Sequence, residues 1–102
     1  MPAPDASTVS VTATVPGRGV SGRVLDRVTG SALAGLTLDV TDADGSVATV
    51  QTDRDGAFRV AGASGLSAVA ASATCHATLD ARPDVAAGQS AVLIVLLAPV
   101  TC

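Results

Sequence analysis

Residues 19–60 of this 102-residue chain form a series of short apolar runs divided by turn signals, the pattern of an antiparallel β-sheet. Over residues 34–41, apolar and polar side chains alternate, so one face of that predicted strand is apolar. The Asp-Gly pair at 44–45 predicts a hairpin, because it supplies the positive φ angles that tight turns require. A second D-x-D-G turn follows at 53–56. This stretch therefore confines the chain to β architectures.

The rest of the chain repeats the same alternation of apolar runs and turn signals, and no helix cap is followed by helical periodicity. The pattern predicts an antiparallel β-sandwich of about seven strands, with residues 1–16 as an N-terminal arm or extra strand and 17–102 as one domain. Val47 and Val50 fall on opposite faces of one strand, which indicates a bulge or an edge position. The predicted strands lie at 9–15, 19–25, 34–41, 46–52, around Phe58, and at 76–81 and 89–98. By propensity alone, residues 66–73 fit either a strand or a helix.

The composition limits both the core and the partners. Phe58 is the only aromatic residue, so the core consists of aliphatic side chains. Only 15% of residues are charged, against about a quarter in a typical soluble domain. Either part of the surface is covered by something else, or Ser, Thr and Gly keep it soluble. The net charge of −3, without an arginine cluster or an aromatic platform, argues against a nucleic-acid surface.

No targeting signal is recognisable in the chain. The N-terminus, MPAPDAST, lacks the basic and apolar regions of a signal peptide. The longest apolar run, 91–100, is far shorter than a bilayer span. We therefore expect a protein that is neither exported by the general route nor anchored in a membrane, unless the chain is a fragment of a larger one.

The strand order over residues 19–60, with its D-x-D-G turn followed by an aromatic residue, resembles the carboxypeptidase regulatory-like domain. That family is a transthyretin-like β-sandwich related to the collagen-adhesin B-type repeats, and it implies an all-β, Ig-like Greek-key fold. The resemblance also implies a strand over residues 66–73, although the chain has Gly65-Leu66 where the family usually has Gly-Tyr. The Lys–Asn isopeptide bond of collagen-adhesin relatives is excluded, because the chain contains neither residue type.

The two D-x-D-G turns are also candidate calcium loops. Asp42 and Asp44 form one pair of carboxylates, and Asp53 and Asp55 form the other. Such pairs offer hard oxygen ligands to calcium. A full calcium loop of this type needs a bidentate Glu farther on, and the chain has no Glu. We therefore expect hairpin turns in which aspartate caps backbone amides, and no cofactor.

Cys75, His76 and Cys102 are the only soft candidate ligands of the chain, and their spacing does not match a zinc site. Neighbouring strand residues point to opposite faces, so Cys75 and His76 do not form a nucleophile–base pair, and we expect no enzyme. A disulfide between Cys75 and Cys102 would tie down the C-terminus. Two free thiols or an intermolecular bridge fit the sequence equally well.

The C-terminal strand carries apolar residues on both faces, although only one face of a sandwich strand meets the core. We expect Leu93, Val95 and Leu97 to face outward as an interface. The N-terminal residues Val9, Val11 and Val15 are expected to take part in it. A copy of the chain, another protein or the chain's own strand 9–15 could each cover this face.

Together these features favour a non-enzymatic structural module that binds protein surfaces, either subunits of an assembly or itself. The specific expectation is an accessory protein of a bacteriophage virion, for decoration of the capsid or for the head–tail junction, made in the host cytoplasm. The alternative is a spacer or ligand-binding domain of a secreted or cell-surface bacterial protein. Sugar binding is disfavoured because sugar sites usually rely on aromatic faces, and Phe58 is expected in the core.

Overall fold

The structure, a computed structural model, describes residues 7–99. These residues contain eight β-strands and no helix. None of the described residues therefore forms a helix able to cross a membrane. The strands are β1 (Thr8–Pro16), β2 (Val20–Asp26), β3 (Thr37–Thr41), β4 (Val47–Gln51), β5 (Ala57–Val60), β6 (Ala68–Ser72), β7 (Leu79–Ala81) and β8 (Gln89–Leu97).

The strands make two four-stranded sheets that pack as a sandwich. Sheet A has the order β1-β8-β2-β5, and sheet B has the order β4-β3-β6-β7. The predicted all-β, Ig-like sandwich is confirmed, and β4 lies at an edge as its sequence indicates. One pair departs from a fully antiparallel arrangement, since β2 runs parallel to β8 from Val20 to Asp26.

The core is aliphatic, as the composition predicts, and Phe58 lies within it at 4% exposure. Burying a Val or Leu side chain contributes roughly 1.5–3 kcal/mol, so the sandwich depends on many medium-sized contributions. Both sheets supply them in alternation along each strand. The largest fully buried side chains are Leu38, Leu66, Leu93, Leu97, Val20, Val24, Val40, Val69 and Val95.

Thr52 closes the end of the core where the chain leaves sheet B for sheet A. Its hydroxyl donates to the carbonyl of Leu33 (2.6 Å) and accepts from the backbone amide of Leu36 (2.9 Å). The residue is only 5% exposed. Both hydrogen-bonding capacities of a buried hydroxyl are thus used, which removes the cost of burying it.

Gly56 permits a close approach between the 53–56 turn and β2. Its φ is +72°, a left-handed conformation that glycine adopts without strain. A Cβ at this position would lie 2.6 Å from the carbonyl oxygen of Val24. Its neighbours in the turn can carry side chains, but this position accepts only glycine without backbone movement.

Candidate functional site

The outward side of β8 forms an apolar stripe on the surface of sheet A. Val92 is 43% exposed, and Ile94 and Leu96 are half-buried. These three residues alternate with the inward residues of the same strand. The sequence correctly indicates a strand that is apolar on both faces, and the structure covers only one of them.

The outward residues differ from those predicted. Leu93, Val95 and Leu97 are each 0% exposed and belong to the core, so their assignment to an exposed interface is wrong. Successive residues of a strand point to opposite faces, so an error of one residue places every side chain on the wrong face. Because both faces of β8 are apolar, hydrophobic pattern alone could not distinguish them.

Two arginines flank the stripe. Ile94 lies beside Arg23 of β2, and Leu96 lies beside Leu25. Arg59 of β5 lies opposite Ser21 in the register, and is therefore a diagonal neighbour of Arg23. Both arginines are exposed. We call this surface the arginine face; it is defined by Val92, Ile94, Leu96, Leu25, Arg23 and Arg59.

No carboxylate on the four strands of sheet A balances these arginines on the surface. Asp26 is the only acidic residue in β1, β2, β5 and β8, and it is 8% exposed. Among the described residues, the ion pair of Asp26 is with His76. The arginine face therefore combines apolar contact area with two exposed arginines that face no surface carboxylate on these four strands.

β1 pairs with β8 along the edge of sheet A, and a bulge divides it into two halves. Val9 and Val11 pair with inward residues of β8, whereas Ala13 and Val15 pair with outward ones. Val9 packs against the core, while Val11 is 39% and Val15 56% exposed. The four alternating residues thus do not share one face. Participation of Val9, Val11 and Val15 in an interface stays a prediction.

The outer surface of sheet B has the opposite character. Asp39 of β3, Ala70 of β6 and Asp80 of β7 lie in one row across the sheet. Both aspartates are exposed, and the four strands of sheet B contain no arginine. We call this surface the aspartate face; it is defined by Asp39, Asp80, Ala70, Thr37, Thr49 and Val47. Alternation along β3 could have identified Asp39, but nothing in the sequence pairs it with Asp80.

The first of the proposed calcium pairs forms a turn. One carboxylate oxygen of Asp42 accepts hydrogen bonds from the backbone amides of Asp44 (3.0 Å) and Ser46 (2.9 Å). The Ser46 amide is the main cause of the lowered pKa of Asp42. Gly45 has the positive φ, +89°, that such a turn requires.

The second pair is built in the same way. Asp53 accepts from the amides of Asp55 (2.8 Å) and Ala57 (3.0 Å). Within residues 7–99, no three acidic, histidine or cysteine side chains gather as a metal site would require. In each leading aspartate, one carboxylate oxygen thus accepts two backbone amides, as in an aspartate-capped turn.

His76 and Asp26 form a pair that the sequence does not reveal, since 50 positions separate them. The His76 Nε2 lies 2.8 Å from a carboxylate oxygen of Asp26, and Nδ1 lies 2.8 Å from the carbonyl oxygen of Thr74. The Thr74 carbonyl first, and the Asp26 carboxylate second, raise the pKa of His76. Two acceptors around one ring favour the doubly protonated imidazolium.

Asp26 is held as a carboxylate by the same pair and by its own turn. The backbone amides of Val28 (2.8 Å) and Thr29 (2.9 Å) donate to its second oxygen. The Thr29 amide, the His76 side chain and the Val28 amide together lower the pKa of Asp26 to about 2. The pair therefore links the end of β2 to the 73–77 loop by a charge-assisted hydrogen bond.

This pair is unsuited to general-base catalysis. A catalytic histidine must keep one ring nitrogen free to accept a proton from a nucleophile. Both nitrogens of His76 face acceptors, Asp26 and the Thr74 carbonyl. The adjacent Cys75 has a positive φ of 62°, so it lies in a turn and not in a strand.

Only half of the predicted disulfide can be located, because Cys102 lies outside the described residues. Residues near it come close to Cys75: Pro99 forms an isolated β-bridge with His76, and the Ala77 amide donates to the Ala98 carbonyl (2.8 Å). The last described residue is thus beside the 73–77 loop. The Cys75–Cys102 bond stays a prediction.

Fold and surface together define a two-layer β-sandwich module with an apolar, arginine-flanked outer face. The model of the carboxypeptidase regulatory-like domain matches residues 19–98. The chain belongs to that family, as the resemblance in the sequence predicted. No curated protein matches the chain at a significant level.

Among solved structures, the chain is similar to a protein of Bacteroides uniformis ATCC 8492 to which carbohydrate binding has been ascribed. The TM-score is 0.62 with 17% sequence identity over 83% of the present chain. At this identity the likeness shows the fold alone. The present chain spans 43% of that protein's length.

Proposed function

We propose that this domain is a non-catalytic structural module that binds another protein through the arginine face. The observation that carries the proposal is the outward stripe of Val92, Ile94 and Leu96 on a strand whose other face already forms the core. A sandwich strand needs only one apolar face to fold. The second apolar face requires another explanation, and a covering protein supplies it.

The free energy gained by burying the stripe is sufficient for docking but not for a permanent complex. Val92 is 43% exposed, and its two neighbours are half-buried, so part of their area is already removed from water. Burying the remainder contributes on the order of 2 kcal/mol, at about 25 cal/mol per Å². The flanking arginines add specificity and faster association with an acidic partner.

The setting we propose is an assembly of several proteins or domains. The virion setting is supported by the apolar composition of the chain, and neither the family match nor the structural neighbour points to a virion. A spacer domain within a longer extracellular protein is supported by the neighbour, of which the present chain spans 43%. Both settings use the arginine face in the same way.

Sugar binding is disfavoured by the position of the aromatic residue. Phe58 is the only aromatic side chain of the chain and is 4% exposed. It therefore cannot stack on a sugar ring at the surface. The carbohydrate binding ascribed to the structural neighbour is not proposed for this chain.

Site-specific photo-crosslinking tests the proposal. A photoreactive amino acid replaces Ser21, which lies next to Val92 on the arginine face, or Ala87, which is exposed in a loop away from it. The chain is produced in its native cells, irradiated, and its adducts are identified by mass spectrometry. We expect one defined protein adduct from position 21 and none from position 87. Equal or absent adducts at the two positions would contradict the proposed function.

A further inference from the structure

The two outer faces of the sandwich carry charges of opposite sign. The strands of sheet A present Arg23 and Arg59 outward with no exposed carboxylate. The strands of sheet B present Asp39 and Asp80 outward with no arginine. Complementary charge makes one protein surface bind specifically to another. Among the described surfaces of the molecule, the aspartate face is therefore the best match for the arginine face.

The two charge pairs also have similar spacing. Asp39 and Asp80 lie in one row, separated by the strand that holds Ala70, which places them about 9–10 Å apart at a strand spacing of about 4.8 Å. Arg23 and Arg59 are diagonal neighbours on adjacent strands, about 7–8 Å apart. Long arginine side chains can span the difference, so both ion pairs can form at once.

The aspartate face has room for an arginine side chain. A groove of about 360 Å³ lies between Asp39 and Asp80, and its floor includes Ala70 and Ser72. Both aspartates are exposed at the rim, and one carboxylate oxygen of Asp39 accepts a hydrogen bond from the Thr49 hydroxyl (2.7 Å). Val47, 65% exposed on the same side of the sheet, offers an apolar contact for the stripe.

We propose that the arginine face of one copy of this chain binds the aspartate face of a second copy, with Arg23 and Arg59 against Asp39 and Asp80. This inference rests on the proposed function and names its partner. The molecule measures 39 × 32 × 20 Å, so each broad face has room for the roughly 800 Å² per partner that a stable interface buries. Because the faces lie on opposite sides, the contact is head-to-tail and continues into an open stack.

Light scattering, which measures the solution mass of the wild type and of charge-reversed variants, tests the inference. The wild-type chain at low salt is expected to increase in mass with concentration, with and without reductant. R23E/R59E and D39R/D80R are each expected to lower the association constant at least about tenfold. The quadruple variant R23E/R59E/D39R/D80R restores opposite charges across the contact and is expected to regain assembly. R54E/R82E is the control for R23E/R59E, because it makes the same change in net charge at exposed loop positions.

Three results would overturn the inference: a wild-type chain that is monomeric at about 1 mM, a closed dimer that does not grow, or assembly that the reversals leave unchanged. Unchanged thermal melting of each variant shows that a lost assembly is not lost folding. The adduct at position 21 separates this inference from the proposed function. A foreign protein there would overturn copy-to-copy binding but support docking, whereas an adduct to a peptide of the aspartate face would support both.

Discussion

At the scale of single residues, the His76–Asp26 pair makes stability depend on pH. The folded pKa of His76 is raised, so its contribution is fully present below the unfolded value of about 6.5 and is lost as pH rises through the folded pKa. The folded pKa of Asp26 is lowered to about 2, so its contribution is present above about 3.9 and is lost as pH falls toward 2. The pair therefore stabilises most between these limits.

We expect the free energy of unfolding of the wild type, from urea titrations, to decrease between pH 6 and pH 8. His76 is the only histidine of the chain, so His76→Gln removes the group that titrates there. The decrease is expected to become smaller in this variant. Asp26→Asn serves as the matched change, and NMR should show a lower pKa for His76 in it. Identical pH profiles of all three proteins would show that the pair contributes nothing.

The same residues show what sequence analysis can and cannot supply. The aspartate turns are visible in the sequence because Asp-x-Asp-Gly acts on backbone amides within four positions. The partner of His76 is 50 positions away and depends on how β2 and the 73–77 loop meet. Contacts of that kind follow from topology, which no local pattern contains.

At the scale of structural elements, substitution of two turn glycines distinguishes the cost of backbone strain from the cost of steric overlap. Gly56 and Gly30 have nearly equal positive φ angles, 72° and 75°. A Cβ on Gly56 would meet the backbone of β2, whereas a Cβ on Gly30 would meet nothing within 4 Å. We expect Gly30→Ala to cost about 1 kcal/mol from conformation alone. Gly56→Ala is expected to cost at least twice as much.

Chemical denaturation of the two variants measures the difference. Gly62→Ala is the reference, because that glycine has neither a left-handed φ nor a close neighbour. Equal losses at positions 30 and 56 would mean that the turn after β4 moves away from β2 at little cost.

Strand positions follow from sequence more readily than strand faces. Turn residues delimit all eight strands to within a few positions, because glycine and proline act locally. The sequence pattern predicts the two faces of β8 the wrong way round, because Val92 and Leu93 are both apolar. The bulge in β1 reverses the side chains after Val11. Neither the facing of β8 nor the bulge leaves a signature in the residue types.

At the scale of the whole molecule, the proposed Cys75–Cys102 bond would close the C-terminal end against the 73–77 loop. The chain-entropy estimate for a loop of this length is about 3.5 kcal/mol. We expect no thiol to react with an alkylating reagent in the native protein, and a lower melting temperature after reduction. Cys75→Ser/Cys102→Ser is expected to melt like the reduced wild type. Two thiols titrating in the unreduced protein would exclude the bond.

The first and last described strands also determine how the sandwich responds to force. β1 and β8 are antiparallel, and the Ala98 amide donates to the Ser7 hydroxyl (3.0 Å), so the two ends of this strand pair lie side by side. Tension applied at these two points loads the β1–β8 hydrogen bonds one after another, as in opening a zipper. A module built this way lengthens at low force by releasing β1, while the remaining strands of the sandwich stay folded.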